Sequence, residues 1–208
     1  APTIPAFGLE WTLPVEYSNL RFYGPGPDET YADRKHAKLG IWNTNAYDDH
    51  APYLMPQETG NHEDVRWAEI TDDAGHGMRV SRHGESAFAL SLQPYSAFML
   101  EEAQHQDELP APKHMFLRVL AAQMGVGGDD SWMSPVHPQY HIPADKPLHL
   151  DVDIELIRHV GACRLPQQLR GGPRILRIPL LALLRYRVTA NLHWRSLPHT
   201  MLTAHRCG

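Results

Sequence analysis

Residues 20–34 read LRFYGPGPDETYADR. Leu20-Arg-Phe-Tyr23 is short, aromatic and free of helix breakers, which marks it as a strand, and Gly24-Pro-Gly-Pro27 follows as rigid punctuation that no helix tolerates. The sequence therefore predicts a strand that ends at a tight turn. Pro27 fixes one dihedral, Gly24 and Gly26 are free to adopt positive φ, and the turn is expected to present Asp28, Glu29, Asp33 and Arg34 together. Carboxylates beside an arginine usually pair with it, so the simplest expectation is a salt-bridged turn that keeps strands in register; contact with a neighbouring domain or subunit is the alternative.

The same grammar of short apolar runs and Pro- or Gly-rich breaks extends outward. Leu9-Glu-Trp-Thr-Leu13 alternates apolar and polar residues, and further strands are expected at 39–43, 65–70, 78–81, 88–92, 114–119 and 148–156. Asp72-Asp-Ala-Gly75, Gly75-His-Gly77 and Pro110-Ala-Pro112 separate them. The longest helix candidate is 95–109, where Ser96 is placed to cap the start and Pro110 bars continuation. Many short strands with one helix predict an all-β sandwich or barrel. No internal repeat is visible.

Charge divides the chain into two compositions. Residues 1–157 hold all 24 acidic residues against 10 Lys and Arg, a net of −14, whereas 158–208 hold nine Arg and no Asp, Glu or Lys, a net of +9. Both cysteines, Cys163 and Cys207, lie in the basic part, so 1–157 contains no thiol chemistry, which fits a reducing cytoplasm. A cytoplasmic location is expected, with no membrane segment, since no run approaches the roughly 18 apolar residues needed to span a bilayer. The first residue is not methionine, and the chain is expected to be a piece of something longer. Residues 158–208 read as an atypical tail broken by Pro166, Pro173, Pro179 and Pro198, with 175–188 apolar enough for a strand or a short helix. A reading frame shifted by one base, a genuine extension and a basic interaction tail all fit it. Nucleic-acid binding is not expected, because the tail lacks lysines and recognisable motifs.

Residues 123–132, QMGVGGDDSW, form a glycine-hinged loop that ends in an aromatic. Gly125, Gly127 and Gly128 allow a sharp turn, and Asp129 and Asp130 are placed to accept hydrogen bonds from the freed N–H groups. In residues 53–67, Glu58, Asn61, Asp64 and Arg66 surround another glycine turn and are expected to form a structural polar network. Fourteen histidines invite a metal reading, but the one close pair of interest, His137 and His141, is interrupted by Pro138 and lacks an acidic companion. No nucleotide-binding glycine loop or nucleophile elbow is present.

Taken in order, residues 23–34 (YGPGPDETYADR), 53–67 (YLMPQETGNHEDVRW) and 123–132 closely resemble the C-terminal domain of the large β-galactosidases of glycoside hydrolase family 2, a region that some bacteria make as a separate small subunit. The resemblance covers roughly residues 4–157. It departs from the family at Pro25, where Arg is usual, at Thr30, where Asn is usual, and at Ala6, which is often Arg. It begins about halfway into the family's domain, so the first strands of a large β-sandwich are expected to be missing. The resemblance implies a supersandwich of the galactose mutarotase-like kind over 1–157, with one short helix and the basic tail 158–208 outside it.

It further implies that the acid/base and nucleophile glutamates, and a catalytic Mg2+, belong to a separate (β/α)8-barrel domain. This chain is then expected to bind no cofactor and to be inactive alone. The resemblance carries substrate contact to Trp132 and Asp130, on a loop formed by Gly125, Gly127, Gly128 and Asp129. An indole face stacks on the apolar C–H face of a sugar ring while its N–H stays available for a hydrogen bond. A tryptophan that merely packs the loop against its own sandwich is the plainer reading. The expected partners are a β-galactosidase catalytic domain or large subunit and a galactoside substrate, in a homo- or hetero-oligomer, since half a sandwich leaves strand edges to be covered. The rival readings are a non-catalytic carbohydrate-binding or assembly module and an aldose 1-epimerase-like enzyme.

Overall fold

The structure is a computed structural model that describes residues 3–130, 134–158, 185–192 and 201–206. Thirteen strands form among these residues: β1 (Thr3–Ile4), β2 (Ala6–Pro14), β3 (Asn19–Gly26), β4 (Lys38–Asn45), β5 (His62–Val65), β6 (Trp67–Thr71), β7 (Gly77–Arg82), β8 (Phe88–Gln93), β9 (His114–Gln123), β10 (Ile142–Pro143), β11 (Leu148–Ile157), β12 (Arg185–Leu192) and β13 (Met201–Arg206). They make a seven-stranded sheet in the order β13-β12-β11-β7-β6-β3-β4, a four-stranded sheet in the order β2-β9-β8-β5, and the short pair β1-β10. Every pairing is antiparallel. The chain is an all-β sandwich.

Period-two patterning builds the core. Leu20 and Phe22 of β3, Ala68 and Ile70 of β6, Val80 of β7 and Leu150 and Val152 of β11 face inward from the large sheet. Opposite them stand Phe88, Leu90 and Leu92 of β8 and Met115, Leu117 and Val119 of β9. On β2 the inward positions Phe7, Leu9, Trp11 and Leu13 are only half-buried against this core.

Three expectations need correction. First, β3 does not stop at Tyr23: Gly24, Pro25 and Gly26 stay in the strand, opposite Gly40, Leu39 and Lys38 of β4. The glycines serve close approach rather than a turn. A Cβ on Gly26 would lie 2.8 Å from the Trp42 ring, and the Trp42 indole N–H donates to the Gly24 carbonyl at 3.0 Å. Positive φ falls instead on Gly60, Gly75 and Gly84, at 66°, 80° and 68°.

Second, the single strand expected at 65–70 is two strands in different sheets. β5 pairs with β8 in the small sheet, while β6 pairs with β3 and β7 in the large one. Arg66 makes the crossing: its N–H donates to Tyr23 O and its carbonyl accepts from Arg82 N, both at 2.9 Å. Asp64, at φ 55°, turns the chain just before it.

Third, the helix is shorter than 95–109. The helix α1 covers Ala97–Glu102, with Ser96 as its N-cap accepting from Met99 N, and Ala103 is already extended. The Gln104 N–H goes to the Glu108 carboxylate at 2.7 Å, outside any helical ladder, and only a 3-10 turn, Gln106–Glu108, follows.

In the basic part, β12 pairs with β11 from Leu148↔Leu192 to Glu155↔Arg185, and β13 pairs with β12. Trp132, Cys163, Trp194, Cys207 and the four tail prolines lie outside the described residues.

Phe22 is fully buried between the sheets. Phe22→Ala is expected to lower stability by about 3–5 kcal/mol through lost burial and a residual cavity, read as a shift of the urea midpoint at unchanged slope.

Candidate functional site

The three motifs converge at one end of the sandwich, and the first of them organises the other two. After Pro27 the chain makes a tight turn in which Tyr31 and Arg34 exchange backbone hydrogen bonds, Tyr31 N to Arg34 O at 3.2 Å and Arg34 N to Tyr31 O at 2.9 Å. Tyr31 is completely buried and so fixes the base of the turn. Thr30 binds the second motif on both sides of its peptide: its N–H donates to Asn61 O at 2.7 Å, and its carbonyl accepts from the Asn61 amide at 2.9 Å. The Thr30 hydroxyl accepts from Glu63 N at 2.7 Å.

Glu29 is the electrostatic centre of this joint. Its carboxylate accepts from Gly60 N at 2.8 Å and from the Thr59 hydroxyl at 3.2 Å, and it also binds the Tyr53 hydroxyl and the Arg34 guanidinium. Burial pushes the Glu29 carboxyl up, but Tyr53, Gly60, Arg34 and Thr59 outweigh burial and hold it below the usual range. Gly60 is required here, because its φ is positive and a methyl group would overlap the Gln93 amide.

Glu58 faces the other way and forms a fork with Arg118, at 2.8 and 2.6 Å, while Arg118 Nε donates to the Ser91 hydroxyl at 2.9 Å. Burial pushes the Glu63 carboxyl up to about 7, although the Asn61 amide donates to it. The four residues expected to form one polar network are instead divided: Asn61 binds Thr30 and Glu63, and Glu58 is paired with Arg118. Within that set Arg66 donates to the Asp64 carbonyl, and it lies over the Tyr23 ring, 5.2 Å from its centre.

The third motif leaves β9 as a loop. Met124 N donates to Pro5 O at 2.8 Å and Gly125 N to Tyr140 O at 3.1 Å. The next two N–H groups, those of Val126 and Gly127, donate to Asp33 at 3.2 and 2.8 Å. This corrects the expectation that Asp129 or Asp130 would take the freed amides there. Asp129 binds His137 Nε2 at 2.7 Å. Glycine is needed at Gly125, where a methyl would overlap the Asp33 carboxylate, and at Gly128, where it would overlap the Ser134 carbonyl. Asp130 is exposed at the end of the described loop, and Trp132 falls in the undescribed segment that follows.

Loop and turn together border a cleft of about 530 Å3, lined by Arg34, Tyr53, Gln57, Glu58, Val136 and the segment 124–127 with Asp33. Among the described residues no three His, Cys, Asp or Glu side chains gather as metal ligands, and no helix is long and apolar enough to cross a membrane.

The profile of the beta galactosidase small chain family matches residues 1–154. This chain belongs to that family. As a member of the β-galactosidase small chain family it is similar to beta-galactosidase BgaC of Bifidobacterium adolescentis, 76% identical over 156 residues, which is 74% of this chain and 15% of the relative. It is 41% identical over 157 residues to a beta-galactosidase of Halalkalibacterium halodurans, covering 75% of this chain and 15% of that protein. A beta-galactosidase small subunit of Latilactobacillus sakei is 35% identical over 164 residues, covering 74% of this chain and 51% of the subunit. The chain thus spans about a seventh of the long relatives and half of the small subunit.

Sequence reasoning grouped Glu29 with Arg34 but missed Asp33 as the loop's acceptor and Arg118 as the partner of Glu58. Asp33 and Gly127 are 94 residues apart. No local pattern connects them.

The raised Glu63 carboxyl has a pH consequence. Between its ordinary value of 4.5 and about 7, the folded state keeps the proton and the unfolded state releases it. Stability from this group is complete below the lower value and is lost as pH rises through about 7. Glu63→Gln is expected to remove that loss, so that its stability relative to the parent chain increases between pH 5 and 8, as measured by urea unfolding across that range.

Proposed function

We propose that this chain is the non-catalytic sandwich portion of a glycoside hydrolase family 2 β-galactosidase, forming one wall of the active site and presenting Trp132 as a platform for the galactoside. The catalytic glutamates lie in another domain or a large subunit that assembles with it, and the chain alone is inactive. Residues 1–157 constitute the β-galactosidase-like portion, and 158–208 form an appended basic part whose strands β12 and β13 extend the large sheet.

The observation that carries this reading is the tethered loop: the segment leading to Trp132 is held at two consecutive amides by Asp33, beside an open cleft. A loop that only closed a hairpin would not need a carboxylate from a distant turn. Gly125 and Gly128 shape it tightly, and Asp130, exposed at the end of the described loop, is the second residue of the proposed sugar contact.

The carboxylates in the cleft and just behind it are committed elsewhere. Glu58 is forked to Arg118, Glu29 accepts from five surrounding groups, and Asp33 holds the loop. A retaining glycosidase needs one carboxylic acid and one ionised carboxylate facing each other across the scissile bond. That requirement supports placing the reaction outside this chain. The Mg2+ implied by the family resemblance does not fit these committed groups either.

Trp132→Ala in the assembled β-galactosidase tests the platform. Stacking that is equal in ground and transition states lowers KM without altering kcat. Loss of one such aromatic face is therefore expected to raise KM about tenfold, with kcat changed by no more than about twofold. Unchanged kinetics on a nitrophenyl β-D-galactoside would sink the platform role.

A further inference from the structure

Asp33 stands apart from the cluster around Glu29, although it belongs to the same turn. We propose that Asp33 is a positioning residue for the active site: its carboxylate fixes the loop 125–128 and thereby the direction in which the chain leaves toward Trp132. The inference rests on the platform reading of Trp132, and it concerns a residue that does not itself touch the sugar.

Asp33 sits within the turn closed by Tyr31 and Arg34, which is anchored by the buried Tyr31 and fastened to the second motif through Thr30 and Asn61. Its backbone position is therefore determined by the sandwich and not by the loop it holds. Beyond Gly125 the chain leaves its backbone partners Pro5 and Tyr140, and the next two amides are directed at Asp33. Two adjacent N–H groups that converge on one ionised carboxylate form a charge-assisted pair, stronger than bonds to a neutral acceptor.

At Gly127 a Cβ would lie 3.4 Å from the carboxylate, and at Gly125 it would overlap it. The glycine at 125 is thus explained by Asp33 itself, because the backbone there wraps against the carboxylate too closely for a side chain, whereas a methyl at 127 would rest in ordinary contact with it. Asn offers one acceptor oxygen where Asp offers two, and it turns an NH2 toward an N–H. Ala removes both bonds.

The test uses the assembled β-galactosidase with Asp33→Asn, Asp33→Ala, Trp132→Ala and the double variant Asp33→Ala/Trp132→Ala. Two readouts are taken: hydrogen exchange of the peptide spanning 124–130, and KM and kcat on a nitrophenyl β-D-galactoside. Loss of two charge-assisted bonds in Asp33→Ala is expected to accelerate exchange and to raise KM about tenfold, with kcat little changed. Asp33→Asn should fall between Asp33→Ala and the parent, and the double variant should have the KM of Trp132→Ala, since the two residues act on one contact.

Unchanged exchange in Asp33→Ala would overturn the proposal. So would KM effects that multiply in the double variant, or a fall in melting temperature and active fraction with KM unmoved, which is what a purely structural residue gives. If Trp132→Ala is kinetically silent while exchange still accelerates in Asp33→Ala, the platform reading fails and the tether stands. Asp33→Asn, nearly isosteric, keeps the test informative should the alanine variant fail to fold.

Discussion

The peptide between Glu29 and Arg34 is the joint on which the candidate site depends. Glu29 gathers donors from residues 34, 53, 59 and 60, while Thr30 pairs with Asn61, so two segments about thirty residues apart are locked as one body. The two carboxyls that this joint brings near one another behave oppositely, and the cause is local. Glu29 is buried among donors that prefer its anion, whereas Glu63 is buried with one amide and beside the negative Asp64. Burial alone therefore does not decide ionisation; the count of donors does.

Much of the fold was legible from alternation. The expected strands at 9–13, 39–43, 78–81, 88–92, 114–119 and 148–156 each lie within one observed strand; 9–13 shows the alternation of a half-buried strand, while 88–92 is a short apolar run buried on both faces. Failures cluster where a residue answers to a distant partner. Gly24 and Gly26 look like turn glycines, yet their absent side chains make room within the strand for Val65 and the indole of Trp42. The apolar run 65–70 carries no sign that it changes sheets, since the exchange is made by main-chain bonds to Tyr23 and Arg82. Helix length was overestimated because Pro110 limits a helix but does not oblige it to reach that point. The candidate loop was recognisable by its glycines. Its acceptor, Asp33, was hidden by sequence distance, and its glycines were attributed to flexibility when part of their purpose is fit.

The outer face of the large sheet shows how charge and aromatic surface are combined away from the site. Arg21 and Arg79 lie over Trp67, 5.3 and 4.5 Å from the ring centre, and both pair with Glu69. The indole is thereby covered by alkyl stems and guanidinium planes without removing their charge from water. Other apolar side chains are less protected: Leu54 is 92% exposed and Phe98 of α1 77%.

The crossing at Arg66 has a consequence for how errors are corrected during folding. A one-residue slip in an ordinary sheet inverts the faces of one strand. Here β5 and β6 are joined through a single residue, so a slip in either layer drags its neighbour out of alignment in the other. The two layers proofread each other. A misaligned chain cannot be nearly right in one sheet while wrong in the other, and the correct alignment is selected by both sets of hydrogen bonds at once.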